Sequence, residues 1–325
     1  MTDARRIART PIAVLADALC RTDGPIAVTG ATGWFGTVAM DMLYEALGAA
    51  APERVVGYAS RARELVVADG RIAQVRALDA LAEQDPSPTT LLHLAFIPRD
   101  RIATLGVDAY VRQSIAISTR VLAAVAEHRP RHVVVTSSGA ARAAAGGWQT
   151  DLAHAPYGAL KRRDELAFRA AGRDVGGCCV VPRVFSVGGS RLARPDVFAL
   201  ASMIEMARAG GPIVVHARGP VVRTYSGVDE VIALGLWAAG SGTEIAFDTC
   251  GAPTEIGELA HVVARVHGLG PDAVQRTWEP GARADRYVGD GEVMIDLATR
   301  AGLRLRPLDE LVRASSPGSP PATGS

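Results

Sequence analysis

The chain has 325 residues, 48% of them hydrophobic, and its 35 lysines and arginines against 34 aspartates and glutamates leave a formal charge of +1. That balance excludes a disordered protein and gives no electrostatic case for nucleic acid or an anionic membrane surface as a partner. No apolar run approaches the length needed to span a bilayer.

The opening segment "ARRIARTPIAVLADALC" looks superficially like a secretion signal, but Asp17 interrupts its apolar stretch and no A-x-A site follows. Residues 1–23 therefore read as an amphipathic helical extension. "PIAVTGATGWFG" follows, a strand from Ile26 to Thr29 running into a glycine turn, with a helical pattern from about Thr37 to Leu47. "RVVGYAS" is a second strand. The alternating "ELVVADGRIAQVRAL" around Asp69-Gly70 predicts a hairpin. "TTLLHLAF", "RHVVVTSS" and "GCCVVPRVF" read as buried strands, separated by the long helix of "AYVRQSIAISTRVLAAVAEH" and another beginning near Tyr157.

Strands that are apolar on both faces and alternate with helices predict an α/β fold, a Rossmann-type doubly wound parallel sheet covered on each side. The dinucleotide-binding domain is expected over residues 24–185, joined by 226–250. Residues 186–225 and 251–313 form a smaller α+β substrate portion. The Pro-, Gly- and Ser-rich 314–325 reads as a disordered tail. Cys20, Cys178, Cys179 and Cys250 make no C-x-x-C pair. Small residues in a buried strand account for Cys178-Cys179 better than a metal site or a disulfide framework does, so no metal and a reducing cytoplasm are expected.

Gly30, Gly33 and Gly36 form T-G-x-x-G-x-x-G on the first strand-to-helix turn, with Thr32, Trp34 and Phe35 between and beside them. Glycine there allows a tight turn and lets backbone N–H groups reach a pyrophosphate at the positive end of the helix. After the second strand, no carboxylate occurs before Glu64 to bind a ribose 2′-hydroxyl. Ser60 and Arg61 stand there instead, which favours NADP(H) over NAD(H).

Tyr157 and Lys161 are four residues apart and share a helix face. A phenol with a pKa of about 10 is a poor acid–base group at neutrality, and an adjacent ammonium favours its ionised form. Lys161 is the one lysine in the chain; every other basic side chain of its class is a permanently charged arginine. Ser137 and Ser138 follow "HVVVT" at the edge of the sheet where ligands of such folds bind, and either hydroxyl could polarise a substrate oxygen.

Taken together, "TGATGWFG", "HLAF", "VTSSGAA", "YGALK", "PRVFSVGG" and "VVRTYSGVDEV" resemble the extended short-chain dehydrogenase/reductase family, in its nucleotide-sugar epimerase and reductase branch, from about Pro25 to Leu311. The resemblance implies Tyr157 as acid/base, Lys161 as its partner and ligand of the nicotinamide ribose, and Ser138, by its offset, as the hydroxyl in preference to Ser137. It also implies cofactor contacts at Leu94, Ala95, Phe96 and Pro182, and a homodimer through the helices near 109–127 and 157–171. Arg223 matches the arginine that such enzymes place on a nucleotide-sugar diphosphate. Ser114 and Ser186 stand where the family carries asparagine, in a chain that has none. Sugar dehydratases of the family follow their hydroxyl with acidic residues; Gly139, Ala140 and Ala141 follow here, which argues against elimination. The expected activity is NADP-dependent reduction of a keto-sugar at C4. Epimerisation with a retained cofactor, or reduction of a non-sugar ketone, are the alternatives. His93, His154 and His216 are assigned no role.

Overall fold

Strand β1 (Ile26–Thr29) is buried along its whole length and forms the middle of a parallel sheet, where both faces must be covered. The computed structural model describes residues 8–143, 146–279 and 281–316. β1 pairs in parallel with β2 (Val55–Ala59), and β2 with β4 (Ile72–Ala77). The expected hairpin places β3 (Arg63–Val66) antiparallel to β4. On its other side β1 pairs with β5 (Thr90–His93), β5 with β6 (His132–Val135), and β6 with β8 (Cys178–Val184), all in parallel. The two-residue β7 (Ser137–Ser138) continues beyond β6 along β8, and Ile245–Asp248 completes the sheet.

Parallel neighbours need crossover helices. These are α2 (Trp34–Leu47), α5 (Val107–His128) and α6 (Pro156–Asp174), with α1 (Pro11–Arg21) before β1 and two single-turn pieces, α3 (Ala51–Arg54) and α4 (Ile102–Leu105), in the connections. α2 starts one turn earlier than the apolar periodicity suggests, because extended Gly33 is itself the N-cap. α1 is the predicted extension. Thr10 caps it by accepting from the Ala13 amide, Pro11 occupies its first turn, and Val14, Leu15, Ala18 and Leu19 are buried. Asp17 on its other side pairs with Arg21 at 2.6 Å and accepts from Trp237 Nε1 at 3.1 Å. Tyr58, Val121, Val133, Phe168 and Val181 share one core between the sheet and α5–α6.

The chain folds into two compact units. The first comprises residues up to Val184 together with 229–247 and 296–304; the second comprises 185–228, 248–295 and the residues from Leu305. These limits differ from the sequence reading in that residues 8–23 belong to the first unit rather than standing apart, the stretch that joins it is 229–247 rather than 226–250, and 296–304 join it as well. The second unit has its own core of Leu200, Ile204, Val215, Leu259, Val263 and Val312. Its last helix runs from Leu308 through Ser315, so 314 and 315 are helical rather than part of a tail, because Ser315 is buried and donates to the Leu311 carbonyl at 2.7 Å. Ser316 follows as the C-cap and donates to the Val312 carbonyl at 3.1 Å, and 317–325 lie outside the described residues. All four cysteines are free thiols.

Candidate active site

The glycine turn is closed by backbone contact. Gly30 has φ of +72°, and a Cβ there would sit 2.6 Å from the Ala95 nitrogen. A Cβ on Gly36 would come within 2.0 Å of the Gly30 carbonyl oxygen. The segment after β5 is laid against this turn: Leu94 N–H donates to Thr29 O at 3.1 Å and Ala95 N–H to Thr29 Oγ1 at 3.4 Å. α2 begins at Trp34 with no side-chain cap, so its first turn presents backbone amides and a positive helix end. Thr32 is half-buried, and the Trp34 and Phe35 rings meet edge-on with centroids 6.0 Å apart. A pyrophosphate fits against these backbone amides, and a side chain at Gly30 or Gly36 would run into backbone and force the turn open. Ser60 and Arg61 lie exposed just beyond β2. Pro182 is buried within β8.

α6 carries the acid–base pair. Pro156 starts it, and Gly158 lets it press on the loop after β7, where a Cβ would sit 2.1 Å from the Ala140 oxygen. One turn along, Lys161 is 7% exposed. Its ammonium donates to Thr136 O at 2.9 Å and lies 3.9 Å from the centroid of the Phe96 ring, whose edge meets Tyr157 at 5.6 Å. Phe96 thus touches both members of the pair. Burial pushes the Lys161 ammonium down to about 8, against the opposing attraction of Asp164 and Glu165. An arginine in this pocket would retain its charge, so the lysine is the one cation that burial can tune.

Ser138 is 5% exposed, and its oxygen accepts from the Ala140 amide at 3.2 Å. Ser137, the alternative, is committed elsewhere: its hydroxyl donates to Glu165 Oε1 at 2.6 Å. The three residues after Ser138 form a short 3₁₀ turn, Gly139–Ala141, that carries no carboxylate. His93 is buried against Phe168 with Nδ1 2.7 Å from Thr29 Oγ1, and burial and the Lys161 charge hold it down to about 3. It is a neutral structural histidine. His154 is exposed and paired with Asp151, and His216 is exposed in the second unit.

Ser114 lies buried on α5, and its hydroxyl has no hydrogen-bond partner among the described residues. Ser186 and Arg223 belong to the second unit, with Ser186 in a short strand registered with Tyr225. The Arg223 guanidinium pairs with Asp285 Oδ2 at 2.6 Å and donates to the Val222 and Asp285 carbonyls at 3.0 Å each. Sequence reasoning missed Asp285 as the partner of Arg223, and also Glu165, Arg183 and Trp148. Glu165 had a signal, since it continues the Tyr157–Lys161 spacing by four. Among the described residues no group of His, Cys, Asp and Glu could hold a metal ion, and no helix is long and apolar enough to cross a membrane.

The parallel sheet, the glycine turn and the tyrosine–lysine helix are those of an extended short-chain dehydrogenase/reductase, a class of enzymes built around a bound nicotinamide dinucleotide. The chain belongs to the NAD-dependent epimerase/dehydratase family, whose model matches residues 26–246. No curated protein matches it. Solved structures share its fold at low identity. The UDP-N-acetylglucosamine 4-epimerase of Methanobrevibacter ruminantium M1, in complex with UDP-N-acetylmuramic acid, is 17% identical with a TM-score of 0.70, over 90% of this chain and 97% of that one. The UDP-glucose 4-epimerase of Brucella ovis, in complex with NAD, is 18% identical with a TM-score of 0.69, over 91% and 98%. MoeE5, in complex with UDP-glucose and NAD, is 22% identical with a TM-score of 0.68, over 90% and 97%.

Proposed function

We propose that this protein is a nucleotide-sugar 4-epimerase that keeps its dinucleotide bound through the catalytic cycle. The observation that carries the reading is the convergence on the first unit of the glycine cradle, the buried Lys161 one turn from Tyr157, and the Ser138 hydroxyl, followed by a turn with no carboxylate. That set supports proton transfer at one oxygen and supplies nothing for elimination, so the dehydratase branch of the family is disfavoured.

A nicotinamide held by the glycine turn and Lys161 would supply the hydride chemistry at the sugar carbon. The protein's own part is the proton and the oxygen. Tyr157, stabilised as phenolate by the ammonium one turn along, removes the proton of the C4 hydroxyl and gives it back on the return step. Ser138 donates to the same oxygen as it becomes a carbonyl. Lys161 also offers its remaining N–H groups to a ribose hydroxyl. Arg223, in the second unit, is proposed for the diphosphate, which would exchange with Asp285 for its guanidinium. The resemblance also carries a homodimer through α5 and α6, and Leu166 lies 53% exposed on α6.

A second reading keeps the NADPH-dependent ketoreductase, on one observation: Ser60 and Arg61, with no carboxylate beside them, are exposed where a 2′-phosphate would lie. The family and its structural neighbours support NAD and epimerisation better. Denaturing the freshly purified protein and identifying the released nucleotide by mass spectrometry separates the two readings. Stoichiometric NAD, with UDP-glucose or UDP-N-acetylglucosamine converted to its C4 epimer by NMR, is the expected result. An empty protein that consumes NADPH with a 4-keto-sugar nucleotide would overturn it.

A further inference from the structure

We infer that Ser137, Glu165 and Arg183 form a tether that holds the Ser138 strand at a fixed distance from the Tyr157–Lys161 face of α6, with Ser137 a positioning residue and not a second catalytic hydroxyl. The inference rests on the proposed roles of Tyr157, Lys161 and Ser138.

Glu165 follows Lys161 by four residues and Tyr157 by eight, so the three occupy one stripe of α6. It is 1% exposed, and a carboxylate that deep must be paired. Arg183 Nε donates to Oε1 at 2.9 Å and its Nη2 to Oε2 at 3.0 Å, a two-pronged grip from β8. Arg162 Nη1 adds a bond to Oε2 at 3.0 Å, and the Ser137 hydroxyl adds the bond from β7. The register places Ser137 directly beside Arg183 and Ser138 beside Val184, so the tether grips the serine strand at its first residue. Successive strand side chains point to opposite faces. The hydroxyl of Ser137 goes to Glu165, and that of Ser138 is turned away from it. The Trp148 ring lies 3.6 Å from Arg162 Cζ and 4.6 Å from Arg183 Cζ, and covers both cations.

The tether matters because the helix and the serine loop are in contact. Gly158 touches Ala140 two residues beyond Ser138. A small outward movement of α6 would separate Tyr157 and Ser138 from a common substrate oxygen, and displacements of this order cost about a hundredfold in rate.

The single lysine supplies a readout that does not need turnover. Protein labelled with ¹³Cε-lysine gives one lysine signal, shifted by the Phe96 ring against which Lys161 is packed. Ser137→Ala should move that signal toward its unstructured position and lower kcat on UDP-glucose by at least about tenfold with KM little changed. Ser137→Thr, which keeps the hydroxyl, should restore both. Glu165→Gln should in addition lower the pH at which the signal titrates. It removes one of the two carboxylates, Asp164 being the other, whose attraction for the Lys161 ammonium opposes burial, while Arg162 and Arg183, the cations that Glu165 holds, remain and His93 on β5 stays neutral. If Glu165→Gln fails to fold, the Ser137 pair decides. A Ser137→Ala signal superimposable on wild type overturns the tether. A loss in Ser137→Ala equal to that of Ser138→Ala, not rescued by threonine, would make Ser137 the catalytic hydroxyl. Full turnover in Tyr157→Phe would instead overturn the catalytic reading, leaving the signal shift to judge the tether separately.

Discussion

Replacing Lys161 by methionine should stabilise the fold while abolishing turnover, and the stability gain should disappear at alkaline pH. The ammonium is 7% exposed and titrates at about 8 in the folded protein instead of 10.5. That lowering corresponds to about 3 kcal/mol held against folding while both states are protonated. As pH rises, the folded state releases its proton first, near 8, and the unfolded chain keeps its proton to about 10.5, so wild-type stability climbs through that window. Between pH 7 and 9.5 the climb is about 2 kcal/mol. Methionine fills the same space without the charge, so Lys161→Met lacks this slope. Cys178 and Cys179, whose thiols burial pushes up, titrate in both proteins and cancel in the difference. Urea denaturation of the two proteins at pH 7 and pH 9.5 reads the effect as a stability gap that narrows by about 2 kcal/mol. Parallel pH dependences would refute the account of a desolvated lysine.

Further outcomes follow from the same geometry. Gly36→Ala should lose dinucleotide binding in a fluorescence titration, since its Cβ would lie 2.0 Å from the Gly30 oxygen and the turn would have to open. Arg223→Ala should change the denaturation midpoint little, because its partner Asp285 is 65% exposed. It should raise KM for a nucleotide sugar by roughly ten- to a hundredfold. Asp285→Ala should lower KM, by freeing the guanidinium; an unchanged KM in both would remove Arg223 from the substrate site.

The sheet was legible in the sequence because parallel strands buried on both faces read as continuous apolar runs, and β1, β5, β6 and β8 all do. The Asp69-Gly70 hairpin was legible because successive residues of β4 alternate between exposed and buried. Tyr157 and Lys161 showed themselves by spacing and by the rarity of lysine. What could not be read were the partners of charged side chains. Glu165 and Arg183 are 18 residues apart, and Arg223 and Asp285 are 62 apart; only the packing of α6 on β8 brings the first pair together, and only the register of two strands the second. In an arginine-rich chain, no single arginine announces the carboxylate it will meet. The choice between Ser137 and Ser138 was open for the same reason, since it is decided by which strand face meets α6.

The chain passes between its two units five times, after Val184, Val228, Phe247, Ile295 and Arg304. Neither unit is therefore a cassette that recombination could lift out whole, and no single cut would release one. The family match, over residues 26–246, takes in the first of the three pieces of the second unit, 185–228, and stops short of 248–295, so its span follows neither unit.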